Sequence, residues 1–409
     1  MRKQIKVSII SMKDNKGGGG FTAAYRLLLG LISYQFSANM LVQIKYSNNP
    51  KVISLFSQQN KINYLIRILS KVIIKFFDNE KIPDQTLAFF NTGVGKKINN
   101  FSADIVNLHW VAGEMISIKE IGNISKPVIW TFHDMWPFCG INHLDLESKK
   151  GDIHNFFNLD QNSIERKINC WTKPMHIVTP SNWLASCVKK SDLMKNWPIT
   201  VIPNVIDTSL FKPLDKAKCR KNMMFDDNKT IILFGAFAGV VNEAKGFKIL
   251  IQALDEISEV LPINTELVIF GQDEPLEFKF SKFNSFKWLN HITEEKKMCE
   301  LYNSADVVVV PSKSEVFGLV AAEAHACGVP VVAFKHTGIQ EVVSHKKTGY
   351  LARPFECSDF AAGIIWTLKN KDFLSPLARQ KACKEWSQDV IIPKYIDLYN
   401  SVYEDFKKN

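Results

Sequence analysis

Residues 307–331 read Val-Val-Val-Val-Pro-Ser-Lys-Ser-Glu-Val-Phe-Gly-Leu-Val-Ala-Ala-Glu-Ala-His-Ala-Cys-Gly-Val-Pro-Val. Four consecutive valines are apolar on both faces, as a strand buried inside a parallel sheet must be. Pro311 ends the run, a polar loop follows, and helical spacing begins near Phe317 and continues over Leu319–Cys327. Val331–Phe334 is strand-like again, which makes a strand–loop–helix–strand unit and an α/β fold. The first-turn amides of that helix have no intrahelical partners and can face an anion. Gly318 has no side chain to block a ligand. Glu315 precedes the helix, while Glu323 lies within it among alanines. Glu323 is either a solvated surface residue or a buried carboxylate in need of hydroxyl partners.

Working outward, short β-rich runs alternate with helical segments along the whole chain. Ile5–Ile10, Ile105–Leu108, Val128–Phe132 and His176–Thr179 read as strands in the first half. Thr230–Phe234 and Glu266–Phe270 join the two strands above in the second. Phe21–Ser33, Ser181–Lys189, Gly246–Ile257 and Glu294–Ser304 read as helices, and Pro376–Lys408 is helical in character. A chain of 409 residues exceeds one ordinary core, so two domains are expected. Pro203 and Pro213 punctuate the region between the halves, which suits a linker. The expectation is residues 1–205 as one Rossmann-like domain, completed by a C-terminal helix over 385–409, and 206–384 as a second. Two doubly wound halves imply a cleft, with ligands beyond the carboxyl ends of the strands.

With 46% hydrophobic and 22% charged residues, the composition excludes disordered and fibrous classes. Apolar runs such as Leu27–Ile32 fall short of the ~20 residues of a membrane span. The N-terminus enters a strand-like run without the pattern of a signal peptide, so a cytoplasmic protein is expected. The net charge of +10 suits an anionic partner, but no nucleic-acid motif accompanies it. Lys61–Phe77 has a basic amphipathic pattern, with Leu65, Ile66, Leu69, Val72 and Phe76 at helical spacing and Arg67, Lys71 and Lys75 between them. It reads as a surface helix packing its apolar stripe on a domain core, or as one whose basic rim meets anionic lipid. The two readings are compatible. The eight cysteines form no CxxC pair and read as free thiols. Cys139, His143, His154 and Cys170 match no compact zinc spacing, so no metal is expected.

The pattern Glu315-x-Phe317-Gly318-Leu319-x-x-x-Glu323-Ala324-x-Ala326-x-Gly328-x-Pro330-Val331 resembles the signature of retaining GT-B glycosyltransferases of family four. That resemblance implies two Rossmann-like domains facing across a cleft, and transfer from a nucleotide-sugar donor without a cofactor. Glu315 would bond the donor sugar's hydroxyls, the Phe317, Gly318 and Leu319 amides would hold the sugar or diphosphate, and Glu323 would bind the ribose. Lys245 in Lys245-Gly246-Phe247 resembles the family lysine that neutralises the donor diphosphate. A fixed ammonium there stabilises the charge that develops as the glycosidic bond breaks. The basic residue many relatives carry nearby is missing, since Ala236 and Ala244 stand there.

In Trp130-Thr131-Phe132-His133-Asp134-Met135-Trp136-Pro137-Phe138, His133 follows a strand, where the family imidazole approaches the donor sugar. Asp134 either orients the ring or caps the local turn, and His109 is a weaker candidate. The run Gly17-Gly18-Gly19-Gly20 is similar to the family's glycine loop for phosphate or acceptor, or else is a mobile surface loop. The His133–Phe138 segment looks closest to the branch that makes bacterial surface polysaccharide, which implies a glycan or lipid-linked acceptor and a place at the inner face of the membrane. Base contacts are expected around Trp288–Ile292. The absence of a GxGxxG motif argues against a dinucleotide oxidoreductase. A non-catalytic sugar-nucleotide- or glycan-binding relative is the other alternative, kept open by the missing basic residue.

Overall fold

A computed structural model describes residues 5–56, 61–77, 85–144, 158–235, 242–273 and 282–408. The chain forms two compact units, residues 1–202 with 392–409, and residues 203–391.

The first unit holds a seven-stranded parallel sheet: β1 (Val7–Lys13), β2 (Ala38–Ile44), β3 (Val52–Ser54), β4 (Ile105–Leu108), β5 (Val128–Thr131), β6 (His176–Thr179) and β7 (Ile199–Val201), in the order β3-β2-β1-β4-β5-β6-β7. Its direction of winding reverses between β1 and β4, so their carboxyl ends diverge and leave a crevice. The C-terminal tail belongs to this unit. Ile392 packs where a Cβ on Gly30 would stand, and the Tyr399 hydroxyl lies 2.7 Å from the buried Asn107 side chain.

The second unit holds a six-stranded parallel sheet: β8 (Thr230–Gly235), β9 (Thr265–Phe270), β10 (Phe286–Leu289), β11 (Val307–Val310), β12 (Val331–Phe334) and β13 (Gly349–Ala352), ordered β10-β9-β8-β11-β12-β13. The four valines of β11 are buried, one pair packing towards each face of the sheet. The reversal falls between β8 and β11, and the loops after these strands carry Lys245 and Glu315.

Two doubly wound α/β units are what the alternation of strands and helices predicts. The expected strands do not include β2, β3, β7, β10 and β13: Asn39 and Gln43 interrupt β2, and the other four lack a run as uniformly apolar as Val307–Val310. The C-terminal helical stretch is longer than expected. It forms Cys357–Trp386 and Gln388–Lys408, with Pro376 and Pro393 inside them. A helix-interior proline costs ~3 kcal/mol. Burial of Leu374, Ala378, Ala382 and Trp386 in the first of these helices offsets that cost.

Candidate functional site

The second unit assembles its candidates at the reversal point of the sheet. After β8 the chain turns through a short 3-10 helix, Glu243–Lys245, capped by the Asn242 side chain, which accepts from the Ala244 amide. Gly246 follows with φ 71° and passes over the Pro311 carbonyl, which a Cβ would meet at 1.9 Å. Only glycine fits there, and the close approach draws the Lys245 turn onto the loop after β11. The Lys313 amide seals the junction by donating to the Ala244 carbonyl (2.7 Å). Lys245 Nζ then donates to Glu315 Oε1 at 2.7 Å, with the side chains 27% and 19% exposed. The Glu315 amide donates to Thr337 Oγ1 (3.0 Å), and the Glu315 carbonyl accepts from the Gly338 amide (2.8 Å). Thr337 holds φ 57°, a left-handed conformation rare outside glycine and concentrated at functional sites. Three loops thus meet around one ammonium–carboxylate pair whose members stand 70 residues apart in sequence.

Gly318 caps the helix Leu319–Ala326 with φ 98°, so the Phe317–Leu319 amides open that helix. Phe317 itself is core, edge-on to Trp386 at 5.8 Å, and Leu319 is half-buried. Glu323 is buried, which removes the solvated reading, and the Tyr302 hydroxyl donates to its Oε2 at 2.7 Å. Nothing in the sequence marks Tyr302 as that partner, because its helix, Glu295–Ser304, meets Glu323 only through tertiary packing. Two residues along, His325 stacks on Trp386 and bonds the Thr348 carbonyl (3.0 Å). Burial pushes its pKa down to about 3, so it is a neutral core residue.

In the first unit, His109 and His133 follow the neighbouring strands β4 and β5. His109 Nδ1 lies 2.9 Å from His133 Nε2, with the rings stacked at 5.1 Å. Desolvation lowers His133 to about 4 against the opposing pull of Asp134, and it lowers buried His109 well below the usual histidine range. Two neutral rings therefore share one proton across that contact, and His109, the weaker candidate, is the hydrogen-bond partner of His133. Asp134 is placed elsewhere. Its Oδ2 accepts from His143 Nδ1 and Trp110 Nε1, each at 2.6 Å, and its Oδ1 accepts from the Trp136 amide at 3.1 Å. Asp134 thus caps the turn and holds His143, which also meets Thr86 Oγ1 at 2.9 Å. Burial alone would raise the Asp134 carboxyl, but the His143 contact keeps it low.

The glycine run is more ordered than a mobile loop. Gly19 and Gly20 already belong to the helix Gly19–Ser33, and Gly17 and Gly18 lead into it with positive φ. A Cβ on Gly20 would stand 3.1 Å from the His133 side chain, so the helix start touches the imidazole. Asp14, before the run, is buried and accepts from the Tyr46 and Ser47 amides at 2.7–3.2 Å. Those bonds outweigh the upward push of burial and lower its pKa.

The helix Lys61–Phe77 departs from the packing reading. Most of its apolar stripe faces away from the core: Leu65 is 62% and Phe76 78% exposed, with Leu69 and Val72 also exposed, while Ile66 is buried. The buried positions are Asn63, Ile66 and Ser70. Among the described residues, no group of three or more His, Cys, Asp or Glu is placed to hold a metal ion, and no helix is long and apolar enough to cross a membrane. His154 and Ala236 lie outside the described residues.

Residues 215–388 match the family described as "Glycosyl transferases group 1", and residues 52–210 match "Glycosyltransferase Family 4". A D-inositol 3-phosphate glycosyltransferase of Segniliparus rotundus is 30% identical over 190 residues, covering 44% of this chain and 41% of that protein. The match thus spans about two-fifths of the length of that curated relative. Among solved structures, the sucrose-phosphate synthase of Thermosynechococcus elongatus superposes with a TM-score of 0.70 at 16% identity, covering 98% of this chain and all of that one. The Anabaena protein HepE, solved with UDP-glucose, gives 0.65 at 18% identity over 97% of this chain and all of that one. At those identities the likeness shows the fold, GT-B.

Proposed function

We infer, of a chain that belongs to the group 1 glycosyl transferases, that it transfers a sugar from a nucleotide-sugar donor to a glycan or lipid-linked acceptor. The observation that carries this reading is the Lys245–Glu315 pair at the reversal point of the second sheet, beside the glycine-capped helix that carries Glu323. A diphosphate needs a cation and open amides, and a sugar needs a carboxylate to accept from its hydroxyls. This site holds all three. In the proposed mechanism Lys245 and the Phe317–Leu319 amides take the charge that develops on the leaving diphosphate. Glu315 accepts from the sugar hydroxyls, and Glu323, fixed by Tyr302, accepts from the ribose. The ammonium supplies the charge that a metal would otherwise bring, so the reaction as proposed uses no metal. Lys313, brought to the Ala244 turn by its backbone, is the proposed substitute for the missing basic residue. The resemblance assigns His133 to the donor sugar, retention of anomeric configuration to the transfer, and surface polysaccharide to the product. The exposed apolar stripe and the flanking Lys71 and Lys75 support contact of the helix Lys61–Phe77 with an anionic membrane.

UDP-sugars are the first donors to test, because HepE was solved with one. Purified protein should hydrolyse at least one nucleotide sugar slowly, and Glu315→Ala should abolish turnover. Full activity without that carboxylate sinks the assignment.

A further inference from the structure

Beyond the donor site, the first unit carries a cavity of about 510 Å³, walled by the loop after β2, Ser54 and Phe56 at the end of β3, and the inner face of the helix Lys61–Phe77. This is within the ~300–1,000 Å³ of small-molecule sites, and it lies at the carboxyl end of the sheet, where ligands of such folds bind. The inner helix face is unusual for an amphipathic helix, because it presents polar groups and leaves them unpaired. Asn63 is only 4% exposed, yet neither its Oδ1 nor its Nδ2 has a partner among the described residues. Arg67 Nε is likewise unpaired, while its terminal nitrogen donates to Gln43 Oε1. A buried polar group without a partner costs ~1–3 kcal/mol, so two such residues on one cavity wall are a signal of a missing ligand.

We propose that this cavity binds a phosphorylated sugar as the acceptor, with Arg67 on the phosphate and Asn63 on the ring hydroxyls. The guanidinium is a planar fork of donors suited to phosphate. The Asn63 amide offers one donor and one acceptor face, which a hydroxyl matches from either side. Phe56 and Tyr64 line the same cavity and supply flat apolar surface for a sugar ring. The surrounding charge is positive: Lys45 lines the wall, Lys16 lies over Tyr46 and Lys97 over Phe56. Of the nearby carboxylates, Asp14 is held by the Tyr46 and Ser47 amides. Glu114, whose charge reaches Arg67, accepts from the Leu87 and Ala88 amides through Oε1 alone, and its buried Oε2 has no hydrogen-bond partner among the described residues. The word acceptor rests on the transferase reading; the binding site does not.

The test is calorimetric titration of the full chain with α-D-glucose 1-phosphate, N-acetyl-α-D-glucosamine 1-phosphate, D-glucose and inorganic phosphate, and with vesicles with and without a polyprenyl-phosphate-linked sugar. At least one phosphorylated sugar, free or in vesicles, should bind tenfold or more tightly than glucose or phosphate. Arg67→Gln and Asn63→Asp should each lose at least tenfold of that affinity, with UDP affinity unchanged. Arg67→Lys, which keeps the charge but not the fork, should lose less and serves if Arg67→Gln fails to fold. Binding of the free sugar phosphates identifies a soluble acceptor, and binding only to sugar-bearing vesicles a lipid-linked one. Failure of every phosphorylated probe, equal binding of glucose, or variants that bind like wild type overturns the proposal. Donor hydrolysis that depends on Glu315 would then stand on its own, so the two readings fail separately.

Discussion

Glu315 holds the Lys245 ammonium at 2.7 Å, so neutralising it should act in opposite directions on two measurements. In Glu315→Gln the lysine is released. The pair is partly exposed, at 27% and 19%, so its worth is nearer that of a surface bridge than of a buried one, at most about 1 kcal/mol. A nucleoside diphosphate without a sugar recruits the freed ammonium at no such cost. UDP should therefore bind up to about fivefold more tightly to Glu315→Gln than to wild type. The sugar loses its hydroxyl acceptor in the same variant, so turnover of a UDP-sugar should collapse. Lys245→Met should weaken UDP binding, and in the Lys245→Met background Glu315→Gln should leave UDP affinity unchanged, since there is no lysine left to release. Calorimetric titration with UDP across the four proteins, beside a hydrolysis assay, reads all of this. Equal weakening of UDP binding by both single substitutions would refute the reasoning, because Glu315 would then be supporting the diphosphate site instead of competing with it.

Tyr302→Phe removes only the hydroxyl that donates to buried Glu323. It should cost ~1.5–3 kcal/mol of stability, as hydrogen bonds to charged groups do, and lower the Tm by several degrees. UDP affinity should fall in Tyr302→Phe and in Glu323→Gln, with little further loss in the double variant. The histidines set a pH response. His133 and His325, held at about 4 and about 3 by burial, are neutral when folded, whereas an unfolded histidine titrates near 6.5. The unfolded chain therefore takes up more protons as pH falls below 6.5, and stability present above that value is lost on acidification towards pH 4. At pH 5 each costs about 2 kcal/mol. The Tm should drop between pH 7 and pH 5, and His325→Phe, which keeps a ring on Trp386, should make the transition of its unit less steep in pH.

Lys245, Glu315 and Glu323 were legible because each belongs to a local pattern: a Lys-Gly step after a strand, and two glutamates around a helix start. The fold was legible in the same way, since valine runs such as Val307–Val310 and the helices that follow them have periods readable over a few residues. Such patterns say where along the chain a group stands and not what it touches. Tyr302 on Glu323 and His109 on His133 were invisible in sequence, because each contact joins elements brought together by tertiary packing, and His143 rather than His133 on Asp134 was invisible because it depends on how the stretch after β5 folds back on itself. The helix Lys61–Phe77 shows the limit most sharply. Its amphipathic pattern is plain in the sequence, but which face turns inward depends on what the sheet beneath offers. There the inward face is Asn63, Ile66 and Ser70, with half-buried Arg67 beside Asn63 on the cavity wall, and most of the apolar stripe is left outside. The sequence by itself thus determined the kind of fold and the residues that line the reversal point of the second sheet. Tertiary structure alone decided their partners, because hydrogen bonds and burial belong to pairs of segments brought together in space.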